Sequence, residues 1–432
     1  MSRFATRVFV CGCLVLACCS LSNGQGILFP WTGPVSRAMG GATTAAPVDA
    51  VSTTFLNPAA MADTQSNELG FGVDLIFPQV STSSSITGLG AGSTDGEPGV
   101  IPLPNVGWIF HSQNCNIIYG LSVASVGGAK TNYPSSATNP FFTPQSNNPL
   151  FPGGLGRVDT SAQFLQIMPS VCLRLTERFS IGIAPTITLG QLVIDPFVFA
   201  APDDADGSGA ARYPIGSGAH MNWGGGFQVS SYFKASPTVS FGATYRSKQW
   251  MQTFDNLSVN ELGLPREVNA NFDLPTLLSI GTAYSGFQNT VLSFDARYVR
   301  NSNADGWGGS GFNPDGSLVG LGYSDQYMLG GGLRRRLTQR FTAAGGYTFC
   351  SSLLANNEAT IGVLAPLHYQ HVYSMGGTIH LGEQTNLNFA YSYSPENELS
   401  GPIVTPFGPV PGSNVTTQLA VHAASLGVAV RY

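Results

Sequence analysis

The chain has 432 residues, of which 43% are apolar and only 10% are charged, and its formal net charge is −5. Soluble proteins carry about 25% charged residues, so this composition argues against a soluble globular protein. The mild net charge and the lack of a basic sequence patch argue against nucleic acid as a partner.

The first 24 residues have the pattern of a secretory signal peptide. Arg3 and Arg7 precede a short apolar run at residues 8–19, and small residues follow this run. A positive region, a short apolar core and small residues are typical of a signal peptide rather than of a membrane anchor. We therefore predict that residues 1–24 are removed. A lipoprotein signal at Cys18 and an ordinary short buried helix are the alternatives.

Three cysteines remain after this segment, namely Cys115, Cys172 and Cys350. Their number is odd and their spacing is wide, which does not fit the ligand spacing of a metal site. We therefore expect them to be small apolar residues of a protein wall.

The rest of the chain has the pattern of membrane-spanning strands. It lacks the run of about 18 apolar residues that a membrane-spanning helix needs, whereas glycine is abundant at 53 residues. Apolar and polar residues alternate in several segments, and this period of two is typical of strands with two different faces. In a membrane barrel the apolar face contacts lipid and the polar face lines the lumen. The clearest segments are residues 181–189, 239–246, 292–298 and 387–394.

Short and long connections alternate between these segments. Short polar turns are predicted near residues 111–115, 176–178, 234–237, 287–289, 338–340 and 382–385. Long loops rich in small and polar residues are predicted near residues 81–100, 129–158, 193–220, 256–268, 301–324, 352–366 and 395–414. Outer-membrane barrels alternate short periplasmic turns with longer external loops and have an even number of strands. We therefore predict an all-β fold, a transmembrane antiparallel β-barrel of about 14 strands at residues 67–432.

The last strand pattern ends at an aromatic residue. Leu426, Val428, Val430 and Tyr432 fall on one face of this strand, because side chains alternate between the faces. A terminal strand that ends in an aromatic residue is similar to the signal that barrel-assembly machinery recognises. We expect this machinery and outer-membrane lipid to be partners of the chain.

A series of short motifs follows the signal peptide. The motifs are Ser-Arg-Ala-Met-Gly-Gly-Ala at residues 36–42, Ala46, Asp49-Ala50 and Asn-Pro-Ala-Ala-Met at residues 57–61. This series resembles the N-terminal plug of the FadL/TodX family of outer-membrane transporters. In that family an Arg-Ala pair, a Gly-x-Ala motif, an Ala-Asp stretch and an Asn-Pro-Ala motif occur in the same order.

The resemblance continues through the strand region. Segments similar to those of the family occur at residues 103–107, 168–182, 242–248, 274–284 and 333–347. Two places depart from the family pattern. The third strand often carries Ala-Pro-Phe-Gly, where Ala124-Ser125-Val126-Gly127 stands here, and the late hairpin has Ala344 instead of an arginine before its Gly-Tyr.

The resemblance implies passive uptake of hydrophobic small molecules through a barrel in the bacterial outer membrane, a multi-pass location. Long-chain fatty acids are the expected ligands, and aromatic hydrocarbons are the alternative. The resemblance also implies a monomer without a cofactor or a metal. Residues 25–66 are expected to form a plug in the lumen, and a shift of this plug is expected to open an exit sideways through a kinked third strand.

Five residues of the expected plug are candidate gating residues, namely Arg37, Asp49, Asn57, Pro58 and Ala59. We expect Arg37 and Asp49 to form an ion pair that holds the plug in place, with contact to the ligand as the alternative. Because Asn-Pro favours turn initiation, a plain turn is the alternative for residues 57–59.

Aromatic residues of the long external loops are candidate ligand-binding residues. The candidates are Phe151, Phe197 and Phe199, which lie near proline or glycine. Exposed aromatic side chains could capture an apolar ligand, and an interfacial girdle is the alternative. Residues 192–201 form the most apolar external loop and are the expected capture site.

Other chemistry has weak support in the sequence. Residues 203–207 and 303–306 resemble fragments of calcium loops but lack the glutamate at position twelve, so we expect solvated turns there. Neither a Gly-x-Ser-x-Gly elbow nor a phosphate loop occurs, and we do not expect an enzyme. A general porin, an outer-membrane lipase or acyltransferase, and a structural or adhesive barrel are the alternatives from other classes.

Overall fold

Fourteen antiparallel strands close into a barrel in the computed structural model. The predicted signal peptide lies outside the described residues, as do Cys115 and Phe151. The first and last strands pair with each other over their full length, which closes the sheet. The structure describes residues 27–113, 116–146, 153–217 and 221–432.

The barrel strands vary from 8 to 19 residues in length. About 9–11 residues of a tilted strand are enough to cross a bilayer, so the longest strands extend beyond the membrane. The bounds are β1 Glu68–Ile86, β2 Ile101–His111, β3 Ile117–Tyr133, β4 Val158–Arg174, β5 Phe179–Asp195, β6 Met221–Ser236, β7 Val239–Arg246, β8 Thr276–Tyr284, β9 Thr290–Arg300, β10 Gln326–Arg336, β11 Phe341–Cys350, β12 His371–His380, β13 Thr385–Gly401 and β14 Ser413–Arg431.

The two faces of the strands differ as their sequences predict. In β7, Phe241 and Tyr245 are exposed on the outside, whereas Thr244 and Arg246 are buried on the lumen side. β5, β9 and β13 show the same alternation of exposed or half-buried apolar residues with buried polar ones. The predicted alternation is therefore confirmed, and its apolar face is the one that contacts lipid in a membrane barrel.

The short turns at one end of the barrel are confirmed, because only 2–5 residues separate the paired strands there. Five predicted loops are partly wrong, and two of them overlap the ends of β3 at Tyr133 and of β5 at Asp195. β1 continues to Ile86 into the predicted loop at 81–100, and β13 continues to Gly401 into the one at 395–414. The predicted loop at 256–268 contains a two-stranded hairpin. The backbone of these serine- and threonine-rich segments is paired in the sheet, and above the bilayer a strand needs no apolar face.

Residues 27–66 lie inside the barrel, and we call them the plug. They form helix α1 (Gly33–Ala38), helix α2 (Ala50–Leu56) and a 3₁₀ helix (Pro58–Asp63). Helix α1 contacts β1 and β11–β14, α2 contacts β1–β3, and the 3₁₀ helix contacts β3–β6. Within the described part of the chain, no helix is both long enough and apolar enough to span a bilayer.

The external loops fold over the lumen and form an apolar core with the wall strands. Phe272, Trp307 and Tyr323 of the loops lie in this core with Phe164 of β4. The loops contain helix α3 (Ala359–Gly362), 3₁₀ helices at Pro140–Phe142, Asn301–Asn303 and Asn356–Glu358, and short strands at Gly90–Asp95, Ile215–Ser217, Trp250–Met251, Phe254–Val259, Pro265–Ala270, Val404–Thr405 and Gly408–Pro409.

Candidate functional site

Arg37 of α1 anchors the plug to the wall, and its acidic partner is Asp74 rather than Asp49. Its Nε donates to Asp74 Oδ1 at 3.2 Å, and its Nη1 donates to Ser392 Oγ at 3.1 Å. The guanidinium also lies 4.6 Å from the centroid of the Trp31 ring. The predicted Arg37–Asp49 ion pair is therefore wrong, because an acid on the lumen face of β1 takes the guanidinium instead.

Asp49 caps the N-terminus of α2. Its carboxylate accepts hydrogen bonds from the Ser52 amide at 3.1 Å and from the Ser52 hydroxyl. Burial raises the pKa of Asp49 to about 6, although the Ser52 hydrogen bonds oppose this rise. Two charged groups, Glu68 and Arg334, act on the Asp49 carboxylate. The Glu68 carboxylate also accepts a hydrogen bond from the Ala50 amide at 2.8 Å. Asp49 is thus a titratable side chain at a contact between the plug and the wall.

Asn57 joins α2 to the 3₁₀ helix and the plug to the wall. Its Nδ2 donates to the carbonyl oxygens of Thr44 at 2.7 Å and of Ser231 at 3.1 Å, and its Oδ1 accepts the Ala59 amide at 3.1 Å. Pro58 follows at the first helical position, where its fixed φ is suitable and no N–H is needed. This motif is a fixed joint of the plug, and its gating role stays a prediction.

Ala59 packs directly on the backbone of the wall. Its amide donates to Ser230 Oγ at 3.0 Å, and its carbonyl oxygen accepts hydrogen bonds from Ser180 Oγ at 2.8 Å and from Cys172 Sγ at 3.4 Å. A Cβ at Gly182 would lie only 2.5 Å from the Ala59 amide nitrogen. The missing side chain at Gly182 therefore permits this close approach.

Arg297 of β9 ties two parts of the plug together. Its Nη1 donates to Pro30 O at 2.6 Å, and its Nη2 donates to Gly41 O at 2.6 Å. Nη2 also pairs with Asp295 Oδ2 at 2.8 Å, and this oxygen accepts the Thr44 amide at 3.0 Å. The strand alternation placed Arg297 and Asp295 on the lumen face, but it carried no signal for their contacts with the plug.

Arg246 of β7 is a further wall arginine that holds the plug. Its Nη2 donates to Phe55 O at 3.0 Å, and its Nε donates to Gln228 Oε1 at 2.7 Å. The guanidinium carbon lies 4.1 Å from the centroid of the Phe55 ring. Both the charge and the ring contact fix the end of α2 against the wall.

The barrel wall has a gap between the upper parts of β2 and β3. Their ladder ends at the Asn105–Ala124 pair. Just beyond it, the register of β3 with β4 shifts between Ser125 and Gly127, which marks a bulge. Bulges bend a strand and interrupt its pairing. No ladder joins the described residues of β2 and β3 past this point.

The start of the plug fills this gap. Leu28 forms an isolated antiparallel bridge with Gly127, and the Phe29 amide donates to Val126 O at 3.0 Å. A Cβ at Gly127 would lie only 2.1 Å from Ile27 O. Gly127 therefore allows the plug to dock as an extra strand segment on the bulge.

An apolar pocket lies beside the gap. It has a volume of about 50 Å³, whereas sites for drug-sized ligands measure about 300–1,000 Å³, so side chains or the plug must move before a large ligand fits. Lys130 and Gln163 line it from the outer face of the wall, since their strand neighbours are buried on the lumen side. The lumen-side lining includes Phe29, Ile76, Val80, Leu103, Ala129, Leu367, Tyr369, Leu419 and Val421.

The candidate loop aromatics lie within the apolar core. Phe197 is fully buried and its ring centroid is 6.4 Å from that of Phe199, which in turn lies 5.0 Å from that of Phe272. Residues 192–201 are not a loop throughout, because their start belongs to β5, and their aromatic residues pack inward. Their role as the capture site stays a prediction. Phe151 lies outside the described residues. A ligand-binding role of Phe197 and Phe199 stays a prediction.

Three acidic side chains of the external loops form a cluster. Carboxylate oxygens of Asp204, Asp206 and Glu261 lie within 4.8 Å of one another. The Arg212 guanidinium pairs with Asp206 at 3.2 Å and with Glu261 at 2.8 Å. A cationic side chain thus already balances this cluster on the barrel surface.

The lumen as a whole has a blocked, apolar upper half and a polar lower half. Buried arginines from the wall and the plug hold the plug in the lower half, and the apolar pocket lies above at the gap. The lining of this apolar pocket suits an apolar ligand.

A sequence model of the family described as outer membrane protein transport protein (OMPP1/FadL/TodX) matches residues 14–432. The chain belongs to this family. The FadL/TodX resemblance drawn from the short motifs is therefore confirmed. As a FadL/TodX protein, it is an outer-membrane transporter of hydrophobic small molecules.

Solved structures share the FadL/TodX barrel. A Pseudomonas aeruginosa FadL homologue is 14% identical with a TM-score of 0.69, over 94% of this chain and 99% of that chain. The Pseudomonas putida toluene transporter TodX is 13% identical with a TM-score of 0.67, over 94% and 100%. The Ralstonia pickettii toluene transporter TbuX is 18% identical with a TM-score of 0.65, over 93% and 99%. At these identities the likeness shows the fold, and a search of curated proteins returns no significant match.

Proposed function

We propose that this FadL/TodX protein takes up long-chain fatty acids passively across the bacterial outer membrane. The observation that carries the proposal is the apolar pocket beside a gap in the wall that the plug closes. Burial of an alkyl chain contributes about 0.8 kcal/mol per CH₂, so a long acyl chain gains much free energy in such a pocket. Downhill movement needs no nucleotide or other energy source.

The route runs from the external loops into the pocket and then sideways between β2 and β3. Phe29 lines the pocket, and its amide bonds the bulge of β3. A ligand that binds better when Phe29 is displaced shifts the plug toward the open position, because only differential affinity moves such an equilibrium. The ligand then leaves through the gap into the lipid phase.

The candidate gating residues set the closed position in this proposal. Arg37, Asn57 and Ala59 hold the plug to the wall through hydrogen bonds, and Pro58 and Asp49 shape its helices. One chain contains the pocket, the gap and the plug, so a monomer is sufficient for transport. Outer-membrane lipid receives the ligand, and the barrel-assembly machinery inserts the chain.

An uptake assay tests this proposal. Cells that lack their own transporter would express the wild type, Asn57→Ala or the control Asn414→Ala, which changes an exposed asparagine at the start of β14. We expect the wild type and the control to take up labelled long-chain fatty acid above the empty vector. Asn57→Ala should take up less, because the two plug helices then no longer move as one unit. No uptake by correctly inserted wild type would reject the fatty acid as ligand.

Aromatic hydrocarbons are the second candidate ligands. The upper lumen contains a run of ring contacts, in which Phe272 and Trp307 are 5.1 Å apart and Trp307 and Tyr323 are 5.7 Å apart. Aromatic rings pair favourably in such edge and tilted arrangements. Labelled toluene in the same cells tests this candidate, and uptake of toluene without uptake of fatty acid would favour it.

A further inference from the structure

The apolar pocket has one cationic residue in its lining. Lys130 lies on β3 just past the bulge, next to Ala129, whose side chain is buried on the lumen side. A lysine commonly lays its methylene stem along apolar surface and keeps its ammonium group in water. Lys130 lines the pocket from the outward side of β3, so its ammonium group can reach the rim of the pocket.

Lys130 differs from the other two lysines of the chain. Lys234 pairs with Asp63 at 2.6 Å, and Lys248 pairs with Asp273 at 2.6 Å. No carboxylate of the described residues lies within 4.0 Å of the Lys130 ammonium group, and no hydrogen bond joins it to them. Within the described residues its charge has no acidic partner, so an anionic group of a ligand can take that place.

The lumen arginines are already engaged with protein groups. Arg37 bonds Asp74, Arg246 bonds Phe55 O and Arg297 bonds Asp295. Their charges hold the plug in place. Among the cationic residues of the described chain close to the apolar pocket, only Lys130 both lines the pocket and lacks an acidic partner there.

The outer surface around Lys130 suits the polar end of an amphipathic ligand. Gln163 of β4 lies on the same outer face, since it pairs in register with Gly128, and it also lines the pocket. Lower on β4, the outward residues Leu165 and Ile167 are apolar. The pocket thus takes an apolar chain, while an ammonium group and an amide are available at its rim for anionic oxygens.

We propose that Lys130 binds the carboxylate of the ligand at the rim of the wall pocket, so that the site selects ionised long-chain carboxylic acids over neutral molecules of equal length. This inference rests on the proposed function and adds the group that sets the ligand class. A hydrogen bond between a carboxylate and an ammonium group contributes more than a neutral one. A phosphate of a membrane lipid offers the same anionic oxygens, so its contribution must be separated by experiment.

Binding to purified protein separates these sources. The protein would be placed in phosphatidylcholine nanodiscs free of lipopolysaccharide, and the binding of hexadecanoate and of 1-hexadecanol would be measured at pH 8. We expect Lys130→Gln to bind the acid about tenfold more weakly, with the alcohol unchanged. Lys130→Arg should retain most of the preference, and Arg178→Gln, which removes an exposed charge at a short turn, should behave as the wild type.

Each outcome decides a separate point. Equal loss of acid and alcohol in Lys130→Gln, or no loss at all, would overturn the inference. It would also fall if Lys130→Gln lost only co-purifying lipopolysaccharide, because the lysine would then serve a lipid phosphate. Wild type that binds the alcohol but not the acid would contradict Lys130 selection and leave hydrophobic transport intact. Wild type that binds neither ligand would count against the proposed function itself.

Discussion

At the scale of single residues, the plug is held by buried charges. The Arg37–Asp74 pair has side-chain exposures of 0% and 6%, and the Arg297–Asp295 pair has exposures of 2% and 0%. Such pairs are strongly destabilised when one partner is removed, because the other is left as an uncompensated buried charge. The position of the plug therefore depends on the Arg37–Asp74 pair and on the hydrogen bonds that Arg297 donates to plug carbonyls, rather than on apolar packing alone.

The Arg37–Asp74 pair gives the first prediction. We expect Arg37→Met to lower the free energy of unfolding by about 3–5 kcal/mol, measured by urea unfolding of the protein in lipid vesicles. Adding Asp74→Asn to this variant should restore part of the loss, because the unpaired charge is removed. Arg178→Met at an exposed turn is the control. An Arg37→Met variant as stable as the wild type would show that the pair does not hold the plug.

The second prediction concerns Asp49. Its pKa is raised by burial from the ordinary 3.8 to about 6 in the folded protein, so the folded state binds a proton more tightly than the unfolded state does. Stability should therefore rise as the pH falls from about 7 through 6 to about 4. Outside this window Asp49 should not contribute to the pH dependence of stability. Asp49→Asn should remove this part of the pH dependence.

The readout for Asp49 is the difference between two pH profiles of the urea midpoint, wild type minus Asp49→Asn, because other groups titrate equally in both. Glu68 and Arg334, the charged groups that act on Asp49, remain in both proteins. A difference that does not change between pH 7 and pH 4 would contradict the raised pKa.

At the scale of elements, strand alternation and turn spacing allow the sequence to predict the barrel. Phe241 and Tyr245 alternate with Thr244 and Arg246, and this pattern correctly assigns lipid and lumen faces. The contacts between plug and wall could not be predicted this way. Arg37 reaches Ser392, a separation of 355 residues, and the period of a strand shows which residues face inward but not which of them meet.

The ends of the strands could not be predicted from the local sequence pattern either. The serine-rich end of β1 has turn-like composition, yet it pairs with β14 up to the Ile86–Ser413 pair. Above the membrane a strand needs a neighbour rather than an apolar face, and the neighbour is distant in sequence. Residues 124–127 depart from the family pattern, so the sequence did not show whether the third strand is kinked. The structure has a bulge there.

The bulge gives the third prediction. Gly127→Ala places a Cβ 2.1 Å from Ile27 O, so the start of the plug must move away from β3. The Phe29 amide, which donates to Val126 O at 3.0 Å, should then exchange its hydrogen faster. Hydrogen–deuterium exchange with mass spectrometry measures this on peptides that contain Phe29.

A second glycine of the wall is the control for Gly127. A Cβ at Gly345 meets its nearest atom, Ser374 O, at 3.8 Å, so Gly345→Ala should leave exchange at Phe29 unchanged. Unaltered exchange in Gly127→Ala would mean that the plug segment is not docked on the bulge.

At the scale of the whole molecule, the proposed function makes plug movement the step that controls transport, because the plug closes the gap in the wall. Arg297 binds the carbonyl oxygens of both Pro30 and Gly41, so the segment at the gap and the turn after α1 are held at one point. Fixing the plug near Gly41 should therefore also hold the segment that fills the gap. The pocket, at about 50 Å³, is too small for a long acyl chain until this segment moves.

A reversible disulfide tests this central claim most directly. An added Cβ at Gly330 of β10 lies 3.6 Å from Ala42 Cβ, within the range of about 3.5–4.5 Å that a disulfide requires. It also lies 2.8 Å from Gly40 O, so the turn after α1 must shift slightly to accept it. The pair Ala42→Cys and Gly330→Cys would be made in a chain whose Cys115, Cys172 and Cys350 are replaced by alanine. The two single cysteine variants are the controls.

The measurement is uptake of labelled long-chain fatty acid by cells that carry the oxidised or the reduced double variant. If the plug must move, the oxidised protein should fall to the level of the empty vector, and reduction should restore uptake to the level of the single variants. Equal uptake by the fully oxidised and the reduced protein would contradict plug-gated transport.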